Sequence, residues 1–123
     1  MKNRFLLLIF FCLSFTVLHG EELQVESSKI KIDQDANILY LNDKVKVVDY
    51  KNNQFLTNEA IYNKKIDFFE TKNETKFISS DGYQTLGKNI TYDKKKGIIS
   101  SKEEAILTDL DGNKLYLNNF TYS

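Results

Sequence analysis

Apolar and polar positions change rhythm once along this chain. From Phe5 to Leu18 no charged residue interrupts the apolar run. After Glu21 no long stretch keeps a 3.6-residue apolar period, and short alternations such as Lys44-Val45-Lys46-Val47 and Lys114-Leu115-Tyr116-Leu117 take over. A period of two sends successive side chains to opposite faces of a strand. Ile, Val, Tyr, Phe and Thr, which suit pleated and half-buried surfaces, dominate these segments. Turn signals recur near 33–37, 50–53, 63–66, 80–82, 93–97 and 110–113. In Asp81-Gly82 and Asp111-Gly112 the glycine can take the positive φ that tight turns need. The pattern predicts a meander of antiparallel strands of roughly eight to twelve residues, two per repeating unit, with almost no helix after Glu21.

The unit is about thirty residues long. Ile30-Lys31-Ile32-Asp33 returns as Ala60-Ile61-Tyr62-Asn63, Ile90-Thr91-Tyr92-Asp93 and Phe120-Thr121-Tyr122-Ser123, without gaps. Two units apart the match is closer: Val45 maps to Ala105, Val47 to Leu107, Asp49 to Asp109, Asn53 to Asn113 and Phe55 to Leu115. A fixed period of this size marks stacked supersecondary units. The last unit is cut after its first strand and no cap follows, so the chain is read as a C-terminally truncated piece of a longer protein.

The N-terminal run has the layout of a secretory signal peptide over residues 1–20: basic Lys2 and Arg4, a short apolar core, then Gly20 before polar residues. It is short for a bilayer span. The alternative is an uncleaved N-terminal anchor, since Leu18 is not the small residue preferred three places before the cut. Cleavage near Gly20 would leave residues 21–123 as the domain. That domain keeps no Cys, His, Arg or Trp, and its fifteen lysines face seventeen acids. No thiol, imidazole or soft metal ligand remains. Lacking arginine and net positive charge, it is unsuited to nucleic acid. No disulfide can staple it, so a packed core must hold it.

No carboxylate pair or serine has a base placed by sequence, so the reading is of a non-enzyme without cofactor or metal. Asp109, Asp111 and Asn113 lack the full ligand pattern of a calcium loop. Asn73-Glu74-Thr75, Asn89-Ile90-Thr91 and Asn119-Phe120-Thr121 are read as ordinary strand residues. Glu103-Glu104 is read as a solvated face. Lys64-Lys65 and Lys94-Lys95-Lys96 fall in turns, either as solubilising residues or as contacts for phosphates at the rim of a lipid groove. The candidate functional residues are apolar: Ile32, Leu39, Leu41, Val45, Val47, Phe55, Phe69, Phe77, Tyr92, Ile99, Leu107, Leu115 and Leu117. They suit either a self-filled core or, where a meander stays open along one side, an apolar groove for acyl chains. Ile38 to Leu41 is apolar on both faces, which points to cover on more than one side.

Three phrases carry a resemblance: SSKIKIDQDANILYLNDKVKVVDYKNNQFLTNEAIYN, SDGYQTLGKNITYDKKKGIISS and AILTDLDGNKLYLNNFTY. In order and spacing, residues 26–122 resemble the OstA-like domain of lipopolysaccharide transport. That domain forms the periplasmic bridge protein and the N-terminal part of the outer-membrane assembly protein. The phrasing near Asp93 and Leu115 looks more like the outer-membrane protein, whose large barrel is missing here. The resemblance implies an all-β, V-shaped jellyroll open along one side, with lipopolysaccharide acyl chains in its interior. It implies edge-to-edge stacking on other OstA-like domains, through an edge strand at Phe120, Thr121 and Tyr122. It also implies a periplasmic location, in association with the outer membrane. The competing reading is a structural or adhesive envelope repeat with a closed core and no ligand.

Overall fold

The computed structural model describes residues 23–123. The expected signal peptide lies outside the described residues. Twelve strands form one antiparallel sheet: β1 (Gln24–Glu26), β2 (Lys29–Asp33), β3 (Ile38–Val48), β4 (Gln54–Asn63), β5 (Phe68–Thr71), β6 (Glu74–Ile78), β7 (Gln84–Lys88), β8 (Thr91–Asp93), β9 (Ile98–Ser101), β10 (Ala105–Thr108), β11 (Lys114–Leu117) and β12 (Phe120–Tyr122). The described residues contain no helix, as the alternating pattern requires.

Long strands β3 and β4 join two halves. Ile38–Asn42 of β3 pairs with β2, while its far end pairs with β1. The near end of β4 pairs with β6 and its far end with β5. One half therefore runs β2-β3-β4-β5-β8-β9-β12, and the other β1-β3-β4-β6-β7-β10-β11. Each later pass of the chain crosses from one half to the other.

The expected strand length holds for β3 and β4 only, because the other passes break where they cross. The register of β3 slips between Asn42 and Val45, where Asp43 and Lys44 have positive φ. Asn73 and Asn89 take positive φ on the same seam, and Asn89 Oδ1 accepts from Asn73 N at 2.8 Å. A bulge bends a strand but leaves ladder groups without partners. Small hydroxyl side chains supply them. Thr71 Oγ1 accepts from Ile90 N (2.9 Å), Thr57 Oγ1 donates to Glu74 O (3.0 Å), and Ser101 Oγ donates to Lys88 O (2.7 Å). Packing is close here: a Cβ added at Gly87 would sit in van der Waals contact with Ala105 Cβ, at 3.4 Å.

The six turns fall where the pattern placed them, and their backbone repeats. Asn37, Asp67 and Gly97 share one left-handed position, and Asn52, Gly82 and Gly112 share another, each thirty residues apart. The loops over 50–52, 80–82 and 110–112 each close on a flanking pair, Asp49 with Asn53, Ser79 with Tyr83 and Asp109 with Asn113. They are three-residue loops ending in a left-handed residue, a common hairpin type.

Candidate apolar groove

Register settles which side chains look inward. One inner row reads Ile32, Leu39, Tyr62, Phe69, Tyr92, Ile99, Tyr122 across its half. The other reads Val25, Val47, Phe55, Phe77, Thr85, Leu107, Leu115. Leu41, Val45 and Leu117 lie on the same face, nearer the seam. The two faces meet. Phe55 of one half packs against Phe69 and Tyr92 of the other at 5.1 and 5.7 Å between ring centres, and Phe77 meets Tyr122 at 5.4 Å.

All thirteen candidate residues sit on this inner face, but in different surroundings. Leu41, Val45, Val47, Phe55, Phe69, Phe77, Tyr92 and Ile99 are buried against one another. Leu39, Leu107 and Leu117 are half-buried. Ile32 and Leu115 are 58% and 55% exposed, at opposite ends of the molecule. The middle is thus filled by the protein's own side chains, while the lining runs on to both ends and is uncovered there. On β12, Phe120 and Tyr122 are half-buried, and Thr121 is exposed on the outer face.

At the turn edges one polar contact, which the pattern did not single out, joins the halves. Asp49 and Asn53 are each 4% exposed. Asp49 Oδ1 accepts from Lys51 N (2.9 Å) and Asn53 N (2.8 Å); Oδ2 accepts from Asn53 Nδ2 (3.0 Å) and, across the gap, from Tyr92 Oη (3.0 Å). A buried carboxylate persists only when so satisfied. Burial pushes the Tyr92 phenol well above its ordinary value, and the adjacent Asp49 carboxylate adds to this through its charge and hydrogen bond. Within the other edge, Tyr62 Oη donates to Asp67 Oδ1 at 2.7 Å, and Lys94 Nζ lies 3.5 Å from the same oxygen. The legible signal was the Asp-x-x-x-Asn spacing at 49–53, repeated at 109–113 with the same three internal contacts and without the tyrosine.

Hydrogen bonds from Asn113, its side chain foremost, hold the Asp109 carboxyl below its usual value. That carboxylate is committed to its own turn. Among the described residues no group of three or more His, Cys, Asp or Glu is placed to hold a metal ion.

A bent double sheet that shuts on an apolar interior uncovered at both ends defines an open β-jellyroll. The family described as lipopolysaccharide-assembly, LptC-related, matches residues 12–104. The chain belongs to that family. The match supports the OstA-like resemblance without singling out the bridge protein or the outer-membrane protein. A comparison with curated proteins finds no match.

Proposed function

We propose that this domain carries lipopolysaccharide acyl chains between its two halves, on the route through the periplasm toward the outer membrane. The supporting observation is the pair of inner rows, which run the length of both halves and are uncovered at Ile32 and Leu115. Membership in a lipopolysaccharide-assembly family supports lipopolysaccharide as the lipid. Apolar contact holds each buried CH₂ by about 0.8 kcal/mol without any directional polar group. An acyl chain entering the interior replaces side-chain contacts that the closed halves already make, so net affinity is modest and release is easy. Such exchange suits a carrier.

In this reading residues 1–20 direct export, residues 21–123 form the working domain, and no catalysis is involved. The edges at β1–β2 and β11–β12, which pair with no further strand among the described residues, would pair with neighbouring OstA-like domains, Phe120, Thr121 and Tyr122 supplying one of them. The likeness to the outer-membrane protein rests on the phrases around Asp93 and Leu115 alone. A second reading, a structural envelope repeat without ligand, is favoured by the ring packing of Phe55, Phe69 and Phe77.

Paired charge substitutions separate the two. Leu107 faces inward and Lys114 outward on neighbouring strands. Leu107→Asp should lower lipopolysaccharide retention by about tenfold, roughly the 1.4 kcal/mol that one such unfavourable contact supplies, while Lys114→Asp leaves it unchanged. Equal retention by both folded variants would favour the structural repeat.

A further inference from the structure

Two lysine-rich turns lie side by side at one edge of the interior. The turn over 63–67 stacks on the turn over 33–37 through Lys64 N to Asn37 O (2.9 Å), and the turn over 93–97 stacks on it through Lys94 N to Asp67 O (3.1 Å). Lys64, Lys65, Lys95 and Lys96 are exposed. The acids of these two turns have partners there: Asp67 takes the Tyr62 hydroxyl and Lys94, and Asp93 Oδ1 accepts from Lys96 N within its own turn. The inner row Tyr62, Phe69, Tyr92, Ile99 begins one residue inside the turns. Neighbouring hairpins repeat every two strand spacings, about 10 Å, so the ammonium groups form a short two-step rim above the apolar lining.

The facing edge has the opposite charge. Its turns over 49–53, 79–83 and 109–113 carry Asp49, Asp81, Asp109 and Asp111 against Lys51 alone. An anion at the opening is drawn to one edge and repelled from the other.

We infer that Lys64, Lys65, Lys95 and Lys96 bind the phosphate groups of a phosphorylated glycolipid headgroup whose acyl chains lie between the halves. This rests on the acyl-carrier reading above. It adds an orientation: the headgroup leans over the 63–67 and 93–97 turns, and its charge, not only its chains, is recognised. Ammonium groups act on phosphate as point charges, and at an exposed rim the attraction is screened by salt.

The test uses the full chain, purified lipopolysaccharide and the same lipid stripped of its phosphates, at low and high salt. A photo-crosslinking residue at Leu107 reports independently whether acyl chains reach the interior. Phosphate removal should weaken binding about tenfold at low salt, less at high salt. The variant K64Q/K65Q/K95Q/K96Q should bind both lipids alike, at the weaker level, with crosslinking from Leu107 retained. Equal binding of the two lipids by the unmodified chain, with crosslinking intact, overturns the lysine rim and leaves the acyl carrier standing. Lysine-dependent binding to anionic phospholipid vesicles, without interior crosslinking, overturns both and reassigns the rim to a bilayer surface.

Discussion

Tyr92 Oη donates a 3.0 Å hydrogen bond to Asp49 Oδ2, joining residues 43 apart on opposite halves of the sheet. Only this side-chain hydrogen bond, among those described, ties the turn edge of one half to the other beside the Phe55–Tyr92 ring contact. It closes the interior over its own aromatic core.

Tyr92→Phe removes that hydrogen bond and keeps the ring. Hydrogen bonds to charged groups contribute about 1.5–3 kcal/mol, and Asp49 retains three other donors. The expected loss is therefore near the lower end, about 1.5 kcal/mol, read as a lower denaturant midpoint with unchanged slope. Uptake of an apolar fluorescent probe should rise, because the halves part more readily. An unchanged midpoint and unchanged uptake would remove the closing role.

Alkaline titration gives a second check. The Tyr92 phenol is raised in the folded state by burial and by Asp49. A group whose folded value exceeds its unfolded one stabilises the fold below the unfolded value, about 10 for tyrosine. That contribution is lost as pH climbs from there toward the folded value. Tyrosinate absorbance should therefore show a late-titrating phenol that disappears in Tyr92→Phe, and that variant should lose less stability above pH ~10 than the parent. Identical titration of both proteins would contradict it.

The turns predict a third outcome. Asn52 and Gly112 occupy equivalent positions, at φ of 70° and 87°. Asn52→Gly should be neutral or stabilising by a few tenths of a kcal/mol, whereas Gly112→Ala, with open space around its Cβ, should lose about 1 kcal/mol through backbone strain alone. Thermal unfolding of the two variants measures the difference.

Much of this architecture was readable before any coordinates, because period-two alternation and a thirty-residue recurrence are local properties of the chain. Strand type, turn positions and the inward parity of Phe55, Phe77 and Leu107 follow from them. The folding of each pass across a seam was not readable. It depends on bulges at Asp43 and Lys44 and on hydroxyls such as Thr57 and Thr71, whose strand-like identity gives no hint of a capping task. The Asp49–Tyr92 contact was hidden for a related reason. An aspartate in a turn ordinarily faces water, and only the meeting of two halves buries this one. Solvent exposure of Ile32 and Leu115 at the ends likewise reflects where the sheet stops, which alternation does not encode.

The most direct test of lipid carriage is site-specific photo-crosslinking in the protein assembled with its partners. Crosslinkers at Phe77 and Leu107, on the inner face, should capture lipopolysaccharide, and crosslinkers at Lys46 and Lys114, on the outer face, should not. Equal capture from both faces, or none from Phe77 and Leu107 in a folded and assembled chain, would contradict the carrier and leave a closed structural repeat.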